Sequence, residues 1–377
     1  MPSERSLTSG RDLSVYDLIA VLVQANLPVL VWGEPGTGKT AFLRALALAL
    51  SQHIEVLIAS IREPTDFGGL PVVRPEGVVL HTPSWALRLL QRGGILLLDE
   101  ITTCPPSVQA ALLRVVHERV VGDTPLPMDK VRIIAAANPP EQAAGGWSLS
   151  PPMANRFAHI KHTPSVEVWV AGMVGNWPVP KVTKLPSDWT NRLAEARSLV
   201  ASYIQHSPTS LQRLPKEESK RGEAWPSCRT WDYASTALAA AWACGGNPLA
   251  PIAACIGEAE TIPFMSWAKN LDLPDPETLL ADPKKFQLPE RQDKAYAVIN
   301  SLTAAFLNKP TEARWNAMWD CFGVVIDAKK PDLILASSRQ VVRYHRTKEN
   351  PTGYPAPLKY GEMLPVFREI GALGNKR

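Results

Sequence analysis

Cysteine is scarce in this chain: five residues in 377, Cys104, Cys228, Cys244, Cys255 and Cys321, odd in number and scattered. Lacking CxxC spacing, they indicate neither a disulfide framework nor a zinc site, and reduced cytosol is the expected setting. Long hydrophobic runs are missing too. The opening MPSERSLTSGRD has no apolar signal core, and the longest Ala/Leu stretch, ALAAAWACGG, is far too short to span a bilayer. A cytoplasmic protein without membrane insertion is therefore expected. Nor is there an excess of one charge: 40 Lys and Arg against 36 Asp and Glu leave +4. The signs are interspersed, with no basic block that would track a nucleic-acid backbone, so the charge alone points to no partner. No internal repeat is visible.

Proline is the one residue in excess, 35 in number. Its irregular spacing punctuates loops and helix starts instead of making a polyproline tract. The length favours two globular domains. Residues 12 to 26, DLSVYDLIAVLVQAN, place Val15, Leu18, Ile19 and Leu22 on one helical face, and the short apolar run PVLVW that follows reads as a buried strand. After a Gly-rich turn the pattern alternates. KTAFLRALALALSQ reads as helix, IEVLIAS as strand, SWALRLLQR as helix, GILLLDE as strand, SVQAALLRVVHER as helix and VRIIAAANP as strand.

Strands that are almost wholly apolar, alternating with helices, predict an α/β fold whose parallel sheet is covered on both faces. Two interruptions, VVRPEGVVL and VVGDTPLPMDKV, read as hairpins. Past about residue 164 the pattern becomes helices separated by Pro-rich loops. The expected division is an α/β core over 1–163 and an all-α remainder over 164–377, whose clearest helix is TWDYASTALAAAWACGG.

GEPGTGKT, residues 33 to 40, has the G-x-x-x-x-G-K-T spacing between an expected strand and an expected helix. Its glycines let successive amides turn inward around phosphates, and the following helix offers the positive end of its dipole. Lys39 would reach the β- and γ-phosphates, and Thr40 would ligate Mg²⁺. ILLLDE puts Asp99 and Glu100 at the carboxyl edge of the sheet, the first to hold Mg²⁺ and the second to polarise a water. Asn138 ends another buried strand, where a neutral amide could orient the same water. Arg156, between a Pro-rich stretch and a strand, has no obvious local acid. Arg229 begins a helix, the unfavourable end of the dipole for a cation, and a bound phosphate would reverse that balance.

In this order, GEPGTGKT, ILLLDE, IIAAANP and NRF resemble the AAA+ ATPases. The connecting text REPTDFGGLP, PSWALRLL, ALLRVVHERVVGD and AAANPPEQAAGG resembles their hairpin-inserted MoxR branch, within the dynein-related AAA subfamily. The resemblance is best from about residue 10 to 163 and thins through PSCRTWDYAS. It implies a P-loop core followed by a helical lid and a helical C-terminal extension. It also implies a Walker A loop made of Gly33, Glu34, Pro35, Gly36, Thr37, Gly38, Lys39 and Thr40, with Ala41 beside it, and a Walker B pair, Asp99 and Glu100. Asn138 matches sensor 1, Arg229 sensor 2, and Arg156 of NRF an arginine finger that serves a neighbouring protomer; left to itself, Arg156 could equally pair with a surface acid.

ATP and Mg²⁺ are the implied cofactors. A homo-oligomeric, hexameric ring acting on a protein client is the implied assembly, with a separately encoded von Willebrand factor A partner. Both hairpins would touch clients. A nucleic-acid motor or loader is the first rival, disfavoured because the first hairpin carries no basic-aromatic cluster. A slow nucleotide-gated scaffold or signalling switch is the second.

Three other pairs are open to blander readings. His159 and His162 fall on opposite faces of a strand and make a poor metal pair. Trp315 and Trp319, at i,i+4, suit a core. Arg114 and Arg119 could each face either a neighbour or solvent.

Overall fold

The computed structural model describes residues 10–75, 77–139, 142, 147–175, 177, 179–271 and 273–345. Its strands, in chain order, are β1 Val29–Trp32, β2 Ile54–Ile58, β3 Leu70–Arg74, β4 Gly77–His81, β5 Gly94–Asp99, β6 Val120–Val121, β7 Thr124–Pro125, β8 Val131–Ala137 and β9 Ala158–Lys161. Five form one sheet in the order β2-β5-β8-β1-β9, and each pair in it is parallel. β3 with β4 and β6 with β7 make two separate antiparallel hairpins, at the interruptions expected from sequence. No strand follows β9 among the described residues.

The sheet is parallel because its central strands have no polar face to give to water. Leu30, Val31, Leu96, Leu97, Ile133, Ile134 and Ala135 are all fully buried. Burying each large apolar side chain contributes about 1.5–3 kcal/mol, and helical crossovers are what can cover both faces at once. At its start, β5 passes so close to the preceding chain that Gly94, at φ +118°, has no room for a Cβ beside the His53 carbonyl. On the edge strand, Glu55 receives two hydrogen bonds of 2.7 Å from Arg88, which ties the Ser84–Arg92 helix to β2. The carboxyl group is held below its ordinary range chiefly by that guanidinium.

Among the described residues, contacts divide the chain elsewhere than at residue 163, with the stretches up to 189 and from 211 to 262 in one unit and those from 190 to 210 and from 263 to 345 in the other. The first unit holds the sheet. It also keeps helices beyond the sheet: Ala240, from the Cys228–Ala243 helix, packs with Val21 of the Val15–Gln24 helix and with Ala25 just after it, and Leu185 and Trp189 pack alongside. Thr183 reinforces the join by donating its amide to Asp17 at 2.7 Å.

The second unit is helical. Its core gathers Leu302, Phe306, Trp315, Trp319 and Phe322 from the Gln292–Asn308 and Glu312–Asp327 helices. Trp315 and Trp319 meet edge to face with centroids 5.3 Å apart, core residues as their spacing suggested. The expectation of helix past residue 345 lies outside the described residues.

Candidate active site

Parallel register assembles the site. Trp32, the last residue of β1, pairs with Ala137, the last of β8, so the loop starting at Gly33 opens beside Asn138. Ile58 of β2 pairs with Asp99 of β5, which sets Ser60 near Glu100. All these strands end at one edge, where open α/β sheets bind ligands.

In the loop, Gly36 and Gly38 have φ of +80° and +76°, and a Cβ would meet nothing at either; here glycine serves the backbone turn and not a tight fit. The Lys39–Ala49 helix begins directly after Gly38. Lys39 is only 9% exposed. Its ammonium donates to the Gly33 and Glu34 carbonyls at 2.8 and 2.9 Å and to Asn138 Oδ1 at 2.8 Å. Burial lowers its pKa, and the charges of Asp99 and Glu100 work against that fall.

Thr40 donates its hydroxyl to Asp99 Oδ2 at 2.6 Å. Cis ligands of an octahedral Mg²⁺ at 2.0–2.1 Å stand about 2.9 Å apart, so this hydroxyl and carboxylate fit such an ion with a shift of a few tenths of an ångström. The amides at the loop and the adjoining helix start fit the phosphates that would accompany it.

Glu100 sits at φ +56°, an uncommon conformation for a residue with a side chain. Ser60 donates to its Oε2 at 2.6 Å. Thr103 holds the same turn from the other side, giving its hydroxyl to the Glu100 carbonyl at 2.8 Å. Ser60 is a participant that the sequence reading missed, because nothing local marks a serine forty residues upstream. His162, which the sequence set aside as half of a poor metal pair, borders the loop: its ring lies 4.4 Å from that of Phe42, and its Nδ1 is buried without a partner. Burial, and more weakly the charge of Lys39, lower its pKa. His159, by contrast, is structural: Trp32 Nε1 donates to its Nδ1 at 2.9 Å, its Nε2 bonds to the Ala154 carbonyl at 2.8 Å, and burial pushes its pKa down to about 4. No group of three or more metal-binding side chains occurs among the described residues.

The two remaining arginines come together elsewhere. Arg156 donates to the Pro152 carbonyl at 2.6 Å, while its Nε is buried without a partner. Its pKa is lowered, first by burial and next by Arg229. Arg229 donates to Asn155 Oδ1 at 3.3 Å. His117 feels both cations and is pulled below its ordinary range by burial, Arg229 and Arg156, in that order. No hydrogen bond or ion pair among the described residues joins either arginine to Lys39, Asp99 or Glu100.

Arg114 bonds to its own segment, to Glu118 at 3.1 Å and the Gly122 carbonyl at 2.8 Å, while about half of its side chain stays exposed. Arg119 is 2% exposed and faces neither solvent nor a neighbour; burial draws its pKa down to about 10.

A five-stranded parallel sheet in this order defines the P-loop fold of the AAA+ ATPases, with a phosphate loop after β1, paired acids after β5 and an amide after β8. Residues 28–157 match the model of the AAA domain (dynein-related subfamily). Curated relatives are similar over stretches of comparable length. The nitrogen fixation protein AnfA of Azotobacter vinelandii is 32% identical over 136 residues, 33% of this chain and 25% of that protein. The DNA-binding transcriptional regulator NtrC of Bradyrhizobium sp. (strain RP501 Parasponia) is 35% identical over 135 residues, 33% and 28% respectively. The hydrogenase transcriptional regulatory protein HoxA of Cupriavidus necator is 33% identical over 139 residues, again 33% and 28%. The chain thus spans about a quarter of the length of the relatives it matches. No helix among the described residues is long and apolar enough to cross a membrane.

Proposed function

We propose that this protein hydrolyses ATP at the interfaces of a homo-oligomeric ring and uses the cycle to remodel or activate a protein partner. One observation carries the hydrolysis: Lys39 bonded to Asn138 and Thr40 bonded to Asp99 bring four predicted residues from three strand ends to a single edge.

Lys39 and the loop amides bind the β- and γ-phosphates and offset their charge. Thr40 and Asp99 would hold Mg²⁺, which supplies further charge neutralisation when bound. Glu100 takes a proton from the attacking water while Asn138 orients it, and the bond from the γ-phosphorus to the bridging oxygen breaks in line.

The pairing of Arg156 with Arg229, away from their own Lys39, supports a composite site in which both meet the ATP of the next protomer. Arg156, Arg229 and His117 feel one another's positive charge, which Glu118 offsets only in part, and such an arrangement favours an anion. The hexameric ring and the separately encoded von Willebrand factor A partner rest on the MoxR resemblance.

A protein client is favoured over nucleic acid by the β3–β4 hairpin, where Val73 and Val78 are 83% and 68% exposed and Arg74 is the one cation among its described residues. The regulators' names describe proteins of which this chain covers about a quarter, so they lend it no DNA-binding role.

Glu100→Gln tests the reading. ATP affinity should stay within about threefold while turnover falls at least about 100-fold; Lys39→Ala should lose binding. Wild-type turnover in Glu100→Gln would remove Glu100 from the mechanism.

A further inference from the structure

Asn155 is the residue before Arg156 in the chain and the residue bonded to Arg229 in space. Its backbone closes the short Pro151–Ala154 helix. Its side chain is buried, and Oδ1 accepts from Ser227 Oγ at 2.8 Å and from Arg229 Nη1 at 3.3 Å. Nδ2 donates to the Trp225 carbonyl at 3.4 Å. Two donors on the oxygen and a carbonyl on the nitrogen fix which way the amide points.

Ser227 is no bystander. It caps the Cys228–Ala243 helix, its Oγ accepting from the Thr230 amide at 3.2 Å while Thr230 Oγ1 accepts from the Ser227 amide at 2.8 Å. One amide therefore ties the turn that carries Arg156 to the helix start that carries Arg229.

Side-chain chemistry explains why an amide stands here. An aspartate would accept the same two bonds, but its charge would pair with the guanidiniums and spend the positive potential on the protein itself. An apolar residue would leave the Ser227 hydroxyl and Arg229 without their acceptor. A neutral oxygen orients both groups and leaves the charge free. The cost is visible in Arg156, whose pKa is lowered by burial and by Arg229.

We propose that Asn155 is a positioning residue that sets Arg156 and Arg229 as one two-pronged anion clamp, held ready for the terminal phosphate of the neighbouring protomer's nucleotide. The inference rests on the composite-site reading above. Asn155 touches no nucleotide itself. It fixes the spacing of the two cations, so that an anion bound by both prongs also holds the Cys228–Ala243 helix in register with the sheet's last turn.

The test is steady-state ATPase of Asn155→Ala, checked for folding by thermal melting. Turnover should fall about 10- to 100-fold, the cost of misplacing a charge by about an ångström. KM for ATP should stay within about threefold, because the variant's own phosphate loop is intact. In an Arg229→Ala background the same change should cost less than about threefold more, since the residue it acts through is gone. Mixing Asn155→Ala with Lys39→Ala should restore part of the turnover, as the latter still offers an intact clamp.

Turnover within twofold of wild type, or full additivity with Arg229→Ala, would overturn the proposal. So would a mixture that stays inactive while Arg156→Ala mixed with Lys39→Ala recovers; if neither mixture recovers, the composite reading itself fails. Should Asn155→Ala not fold, Ser227→Ala removes the hydroxyl that Asn155 accepts from. It should lower turnover at unchanged KM, and wild-type turnover there would overturn the proposal equally.

Discussion

Glu100, the proposed general base, shows how much of a site residue lies outside its own motif. The sequence marks the carboxylate, while its aim comes from a positive-φ turn, the Ser60 hydroxyl at 2.6 Å and the Thr103 hydroxyl on its carbonyl. Ser60→Ala should leave ATP affinity within about threefold and lower kcat about threefold to tenfold, because the carboxylate loses an anchor and not a charge. Nucleotide titration beside steady-state turnover checks the split.

His159 makes a second prediction at this scale. Its folded pKa, about 4, lies below the ordinary 6.5, so the unfolded chain binds the extra proton first. Stability is therefore full above about pH 6.5 and drains as pH falls toward 4, by about 3 kcal/mol from this residue. Denaturant unfolding from pH 7 to 4.5 should show that slope, and His159→Gln should flatten it.

The elements were the most legible part of the sequence, for a physical reason. A strand buried on both faces must be written as a continuous apolar run, and PVLVW, GILLLDE and VRIIAAANP are such runs. The phosphate loop was equally plain, since its glycines and lysine are contiguous. Bonds made by register were not readable. Ser60 meets Glu100 only because Ile58 pairs with Asp99, and Asn155 meets Arg229 across seventy-four residues. Where one helix packs on another was also hidden, which is why 164–189 and 211–262 share a unit with the sheet, across the expected division at 163.

A tight element-scale constraint is Gly94, where β5 begins against the His53 carbonyl at φ +118°. Gly94→Ala should destabilise the sheet by about 2–4 kcal/mol and displace Asp99 with it. A loss of melting temperature together with weaker ATP binding would be the signature, and an unperturbed Tm would contradict the packing described.

At the scale of the whole molecule, the composite-site proposal gives the chain half of two sites. Lys39, Thr40, Asp99, Glu100 and Asn138 lie at one sheet edge with the phosphate loop, while Arg156 and Arg229 stand together apart from it. Arg119 is buried and so takes no part in a neighbour's phosphate site, whereas Arg114, bonded to Glu118 and Gly122, keeps about half of its side chain exposed. An exposed valine-bearing hairpin would give the proposed assembly a surface suited to protein and not to a phosphate backbone.

The most direct measurement of this account is mixing. Arg156→Ala and Lys39→Ala proteins should each be nearly inactive alone. Combined, they should regain part of the wild-type turnover, because some interfaces then join an intact phosphate loop to an intact arginine. A mixture no more active than the sum of its parts, or a protein that stays monomeric with ATP, would contradict hydrolysis at a shared interface.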